Sequence, residues 1–369
     1  MKGYKGFEKG LICRGKQYAE NTVFEEEKAE ICTSGMHFCQ DPFDVLDYYG
    51  LVNEKGGFND FAEVEALEED KTYDHKKFCT TKLKIGTKLS FSGFVKACVD
   101  FVIEKTSIDV GIENLQNSGN SAQIGSSGDS AKIGSSGDYA KIGSSGNSAK
   151  IGSSGNYAQI GSSGDSAKIG SSGDSAQIGS SGDSAKIGSS GDYAQIGSSG
   201  DSAQIGSSGD SAKIGSSGNS AKIGSSGDYA KIGSSGNSAK IGSSGDYAQI
   251  GSSGNSAKIG SSGDYAQIGS SGDSAKIGSS GDYAQIGSSG DYAQIDSSGE
   301  NSVICCAGYN SIAKAKKGSW ITLSEWKKDL EKGKLIPVCV KTEFVDGERI
   351  KGDTWYKIEK GEFVEVQDE

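Results

Sequence analysis

The sequence contains no apolar run approaching the length of about 18 residues that a bilayer-crossing helix needs. It opens with no charged-then-apolar leader, so neither a membrane span nor a signal peptide is expected. Histidine is scarce, with His37 and His75 the only two. No Gly-rich loop leads into a helix and no serine sits in a strand-to-helix turn, so phosphoryl transfer and nucleophilic hydrolysis lack their usual residues. An enzyme is not expected, and no cofactor is implied. Positive charge is also short. The 38 Lys and Arg face 49 Asp and Glu, a net charge of −11, which argues against a general nucleic-acid binder. The eight cysteines have no disulfide-framework spacing, and Cys305 and Cys306 are adjacent, so reduced thiols in a cytosolic setting are expected.

What the chain has in excess is glycine, 57 residues of it, most of it in one phrase. From Asn120 to Ile295 the nine-residue unit (Asp/Asn)-(Ser/Tyr)-Ala-(Lys/Gln)-Ile-Gly-Ser-Ser-Gly recurs twenty times, with Ala third and Ile fifth in every unit. A fixed short period marks a solenoid, since one unit is too small to bury a face alone. Ala and Ile two residues apart predict strand alternation, with the second and fourth positions pointing to water. The segment Ile-Gly-Ser-Ser-Gly is expected to form the corner, glycine taking positive φ and serine satisfying turn amides. Two glycines per unit exclude a helix, and the strict register of Ala and Ile argues against a disordered linker.

The variable positions set the coil. Numbered from Asn120, the odd units carry seven of the eight second-position tyrosines, with seven Gln and three Lys at the fourth position. The even units carry eight Lys and two Gln there. Two units therefore close one coil of eighteen residues, about ten coils stacking at ~4.8 Å into a rod roughly 50 Å long. One face is a Tyr and Gln ladder: Tyr139, Tyr157, Tyr193, Tyr229, Tyr247, Tyr265 and Tyr283, with Gln159, Gln177, Gln195, Gln249, Gln267 and Gln285. The other is a Ser and Lys ladder. Drift of a duplicated eighteen-residue block would also produce this asymmetry.

The fold class expected is mainly β: a two-sheet parallel β-solenoid over 113–313, an N-terminal α+β domain over 1–112 and a small C-terminal antiparallel β domain over 314–369. Asp41 and Pro42 open a helix, and Phe91 to Glu104 forms another with Phe91, Phe94, Val95, Cys98, Val99 and Val102 on one stripe. An open coil end exposes strand edges, so both flanking domains are expected to cover the ends. The Asp346-Gly347 and Lys360-Gly361 pairs predict hairpin turns.

Three constellations bear on chemistry. Cys13, Cys32, His37 and Cys39 could hold zinc, although their spacing fits no common finger, and buried thiols are the simpler reading. The Asp-Gly-Ser corners resemble calcium-binding nonapeptide rolls, but each unit has one acidic position, and six of twenty units have Asn there. Cys13-Arg14-Gly15 with Ser34-Gly35-Met36-His37-Phe38 faintly resembles a nucleotide-handling fold such as an ADP-ribosyltransferase, with no glutamate placed.

The segments Tyr4-Lys5-Gly6-Phe7, Cys13-Arg14-Gly15, Gly35-Met36-His37-Phe38-Cys39, Pro42, Val45, Ser319-Trp320 and Asp353-Thr354-Trp355-Tyr356 resemble an uncharacterised family of phage and prophage proteins. Its members share this plan of an N-terminal domain of unknown function, short repeats and a Trp-containing tail. The resemblance implies a bacterial or phage intracellular setting and carries no active site. The expectation is a non-enzymatic solenoid that binds a protein partner along its Tyr and Gln face, in a phage setting a host defence component. Ice or crystal binding, DNA mimicry and a plain structural spacer are the alternatives. Neither nucleic acid nor membrane is expected as a partner.

Overall fold

The computed structural model describes residues 1–31, 33–53, 57–68, 71–73, 76–106, 114–329, 331 and 333–366. The repeats form a β-solenoid of two parallel sheets, about 18 residues to the turn and about 11 turns, with an α+β region before it and an antiparallel hairpin after it. Register is strict. Lys132-Ile133-Gly134-Ser135 pairs with Lys150-Ile151-Gly152-Ser153 one coil on, and Gln159 to Ser162 pairs with Gln177 to Ser180 in the other sheet. Two units per coil is the observed period.

Within a unit the strand runs from the fourth to the seventh position, as in Lys168–Ser171. Ile points inward and is at most 3 % exposed from Ile133 onward through the repeats, while the Ala before each strand is fully buried from Ala140 onward. The sixth-position glycine lies inside the strand, not in the corner. No repeat glycine has a positive φ. That conformation falls instead on the second position of every odd unit, as at Tyr139 (φ 60), Ser211 (φ 58) and Tyr247 (φ 57), and of three even units at Ser256, Ser274 and Tyr292. The expected corner is therefore displaced to the end of one unit and the start of the next.

The ninth glycine is required for another reason. A Cβ on Gly236 would stand 1.9 Å from the carbonyl oxygen of Gly218 in the previous coil, where no side chain fits. The seventh-position serine turns inward, and in several odd units its hydroxyl accepts the ninth-position N–H, as Ser198 does from Gly200 and Ser234 from Gly236, both at 3.3 Å. That part of the turn chemistry is as expected.

The chain divides into two compact units, one of 1–53, 58–196 and 203–209, the other of 54–57, 197–202 and 210–369. In the first, a seven-stranded sheet runs in the order Thr22–Glu25, Lys82–Leu89, Asp60–Ala66, Lys2–Phe7, Met36–Cys39, Lys77–Thr80, Lys71–Tyr73. Phe7, Met36, Phe38, Leu83 and Ile85 fill one side of it. Helix α1 (Pro42–Val45) is a single turn, with the Asp41 carboxylate accepting the Phe43 N–H at 2.9 Å. Helix α2 (Phe91–Thr106) places Phe94, Cys98 and Val102 against Phe43 and Phe61.

In the second unit the last strands extend both sheets. Trp320–Lys328 follows Val303–Cys306 in parallel, and Leu335–Phe344 pairs with it antiparallel. Trp355–Glu359 and Glu362–Val366 form a hairpin around Lys360-Gly361. The Asp346-Gly347 turn is no hairpin, because the strands on either side of it lie in different sheets. The Asp346 carboxylate accepts the N–H groups of Glu348, Arg349 and Ile350, which holds a crossing loop instead.

Candidate functional site

Strand alternation turns the fourth and sixth positions outward, so each sheet carries a row of Lys or Gln beside a row of glycine. The two rows of glycine have different fates. In the first unit α2 lies along the even row. A Cβ on Gly170 would stand 3.3 Å from the Val99 Cα, one on Gly188 3.4 Å from the Val99 Cγ2, and one on Gly206 3.0 Å from the Val95 Cγ2. The geometry suits the contact. A helix advances about 5.4 Å per turn and parallel strands about 4.8 Å, so residues spaced by three or four meet successive coils. The helix thus covers a face, where an end cover was expected, because only a bare glycine row lets a helix backbone come this close.

Charges fix the same contact. Asp41, Asp44 and Asp47, spaced by three, face the Lys ladder of the even units. The Lys168 ammonium lies 2.6 Å from Asp41 and 2.9 Å from Asp44, and Lys186 lies 2.7 Å from Asp47. Lys186 also donates to the Phe43 carbonyl at 2.8 Å, and Gln204 one coil on donates to the Leu46 carbonyl at 3.4 Å. Burial works against the charge on Lys168, but the two aspartates more than offset it and raise its pKa. Burial likewise opposes the charge of Asp47, yet Lys186 and Lys76 hold its pKa below the usual value. In this stretch the Lys face, expected to be bathed in water, is an internal interface.

The odd row is open. At Gly125, Gly143, Gly161 and Gly179 in the first unit, and at Gly197, Gly215, Gly233, Gly251, Gly269 and Gly287 in the second, an added Cβ meets nothing within 4 Å. Beside the row stand Gln159, Gln177 and Gln195 in the first unit and Gln249, Gln267 and Gln285 in the second, all exposed. The second unit's row forms a shallow groove of about 550 Å³, with Gly251, Gly269, Gly287 and Ser271 in its walls and Cys305 at its end. The Gln row continues in register through Val303, Trp320 and Phe344, which are 51, 47 and 39 % exposed.

The tyrosines flank this face along a corner, because the second position is a turn residue and not a strand residue. Tyr229, Tyr247, Tyr265 and Tyr283 stack at 4.9 to 5.1 Å with rings within 6° of parallel. Tyr139 and Tyr157 stack likewise at 5.1 Å in the first unit, where Tyr193 follows Ser175 in the ladder. All seven are between 44 and 64 % exposed.

Of the four proposed zinc ligands, Cys13, His37 and Cys39 line one cavity of the N-terminal region, and Cys32 lies outside the described residues. They do not converge. Among the described residues no three His, Cys, Asp or Glu side chains come within reach of one ion, in this cavity or in the repeats. Burial pushes the Cys39 thiol up to about 12, so it carries no thiolate at neutral pH, and the Cys13 sulfur accepts the Tyr49 hydroxyl at 3.1 Å. In the repeats the first-position carboxylates are engaged along the stack: Asp246 accepts the Asp264 N–H at 2.8 Å, and Asp264 that of Asp282.

Residues 1–97 match the model of a domain of unknown function, DUF7666. No curated protein and no solved structure matches the chain. The DUF7666 region thus supplies the seven-stranded sheet, α1 with its three aspartates, and the first half of α2. Sequence reasoning missed the use of those aspartates, although the spacing of Asp41, Asp44 and Asp47 matched a ladder of lysines at eighteen-residue intervals.

Proposed function

We propose that the chain is a non-enzymatic binding protein whose odd-unit face receives an α-helix of a protein partner. One observation carries this reading. At Gly170, Gly188 and Gly206 the even glycine row already holds a helix, the chain's own α2, seated through Val95 and Val99, while the odd row, like Gly278 further along the even one, is bare. Glycine inside a strand costs stability and marks close approach by another backbone. The even row uses its glycines that way, and an external helix would use the odd row in the same manner.

The expected occupant is an amphipathic helix with small or β-branched residues at i, i+4 and i+7. Stacked tyrosines on one flank and Trp320 at the end offer rigid contact area of the kind that dominates interfaces. Neutral glutamines replace the even row's lysines beside the groove, so the partner helix needs hydrogen-bonding flanks where α1 needs aspartates. The resemblance of the chain's ends to phage and prophage proteins supports a host-cell protein, such as a defence component, as that partner. Engagement of the Asp ladder within the stack works against DNA mimicry.

The test replaces Gly251, Gly269 and Gly287 together by Val and compares affinity capture from bacterial lysate with the parent. Loss of one captured protein, with the fold kept by circular dichroism, supports the reading. An unchanged set of captured proteins contradicts it.

A further inference from the structure

The DUF7666 region encloses a cavity of about 360 Å³, lined by residues between Tyr4 and Lys77. That volume lies within the range of small-molecule sites and exceeds what a bare inorganic anion fills. Its charged walls are one-sided. Lys5, Arg14, Lys16 and Lys77 face a single carboxylate, Glu26, with His37 beside them. Glu26 is already engaged, one oxygen on Lys16 at 2.8 Å and the other accepting the Gly35 N–H at 2.9 Å. Between these groups stand Tyr4, Tyr18, Tyr48, Tyr49 and Phe38, a wall suited to a flat ring.

Two residues look unfinished. Lys5 is 5 % exposed, and its ammonium donates to the His37 carbonyl at 2.8 Å but pairs with no carboxylate among the described residues. A buried cation without a counter-ion is unfavourable unless something anionic completes it. Arg14 sits at φ 51 beside Gly15 at φ 75, at the tip of a two-residue turn between Ile12–Cys13 and Lys16–Gln17. Such turns favour Asn, Asp or Gly at that place, so an arginine there holds strain. Its side chain is exposed, and its guanidinium pairs with no carboxylate among the described residues.

We propose that this cavity binds a nucleotide, its phosphate between Lys5 and Arg14 and its base against the tyrosine rings. The cationic wall accounts for the phosphate, the two unpaired cations for its position, and the aromatic wall for the base. This site is independent of the solenoid groove, and either reading stands if the other falls.

Protonation supplies a signature. Burial holds the Lys5 pKa below the usual lysine value, with Arg14 adding to the effect and Cys13 and Cys39 opposing it. An anion beside Lys5 raises that pKa, so binding takes up protons and weakens as pH rises. The other groups facing it are settled near neutrality. Burial and the neighbouring cations Lys5, Lys77 and Arg14 push His37 down to about 4, and Glu26, opposed by burial, is held ionised by Lys16 and the Gly35 N–H.

Calorimetric titration of the full chain tests this, with the four nucleoside monophosphates and diphosphates, inorganic phosphate and adenosine as probes. At least one nucleotide is expected to bind about tenfold more tightly, or better, than phosphate or adenosine alone. Lys5→Met should lose about tenfold in affinity for that nucleotide. Arg14→Asn suits the turn and should keep or raise the melting temperature while losing about tenfold in affinity. The proposal is overturned if no nucleotide binds at millimolar concentration, if phosphate alone binds as well as any nucleotide, or if Arg14→Asn binds like the parent.

Discussion

Lys168 and Asp41 meet at 2.6 Å across 127 residues of sequence, joining the DUF7666 region to an even-unit strand of the solenoid. Their side chains are 14 and 9 % exposed, and Asp44 shares the same ammonium. Removing the lysine leaves two buried carboxylates with only longer contacts, Asp41 with Lys150 at 3.8 Å and Asp44 with Lys76 at 3.9 Å. Lys168→Gln should therefore cost about 3–5 kcal/mol, as for other broken buried pairs. Lys213→Gln, on an exposed odd-unit position, should change stability by less than about 0.5 kcal/mol. Urea denaturation of both variants checks the contrast. Equal, small effects would remove the ladder's role in docking.

Acid should loosen the same contact. Lys186 and Lys76 hold the Asp47 pKa below its usual value despite burial. A carboxylate with a depressed folded pKa contributes stability that is present above the unfolded value of about 3.9 and is lost as pH falls through the folded one. Hydrogen exchange of the α1 and α2 amides should accelerate, relative to intrinsic rates, below about pH 4 and not between pH 5 and 8. Asp47→Asn should flatten that acid dependence.

The two glycine rows should respond in opposite ways to the same substitution. Gly170→Val drives a side chain into the Val99 backbone and should cost roughly 1–3 kcal/mol by overpacking. Gly269→Val meets open space and adds β propensity, so it should be neutral or stabilising by up to about 1 kcal/mol. Thermal denaturation of the two proteins decides it. Two similar losses would mean that the odd row is as constrained as the even one.

Much of this could be read from the chain itself. The coil period, the inward Ala and Ile and the division into faces all follow from chemistry that recurs without error at Ala140, Ile142 and their equivalents. The α2 stripe was legible too, although it serves two surfaces at once: Phe94 and Cys98 face the domain core and Val95 and Val99 the glycine row. What was hidden depends on contacts that sequence spacing does not carry. Gly170 and Gly161 both stand in Ile-Gly-Ser-Ser-Gly, and nothing in that shared segment shows that α2 returns from upstream to cover only one of them. Positive φ at Tyr247 was not legible because tyrosine disfavours it, and the stacking of Tyr229, Tyr247 and Tyr265 stabilises the corner in compensation. The Asp346-Gly347 pair misled because a turn signal does not reveal whether its strands share a sheet.

The core itself is unforgiving. Ile214 is 3 % exposed between the two sheets, and Ile214→Asp should cost several kcal/mol and split or abolish the β melting transition, with circular dichroism as the measure. Gly236→Ala, which sets a methyl 1.9 Å from the Gly218 oxygen, should be comparably damaging. A variant of either kind that melts like the parent would contradict the coil as described.

The most direct measurement is photo-crosslinking from the open groove. A photoreactive side chain at position 269, in the full chain inside bacterial cells, points into the odd glycine row without touching the fold. The account predicts adducts to one protein, with the crosslinked residues spaced by three or four along a single helix. Adducts scattered over many proteins, or confined to residues without helical spacing, would contradict a helix-receiving face.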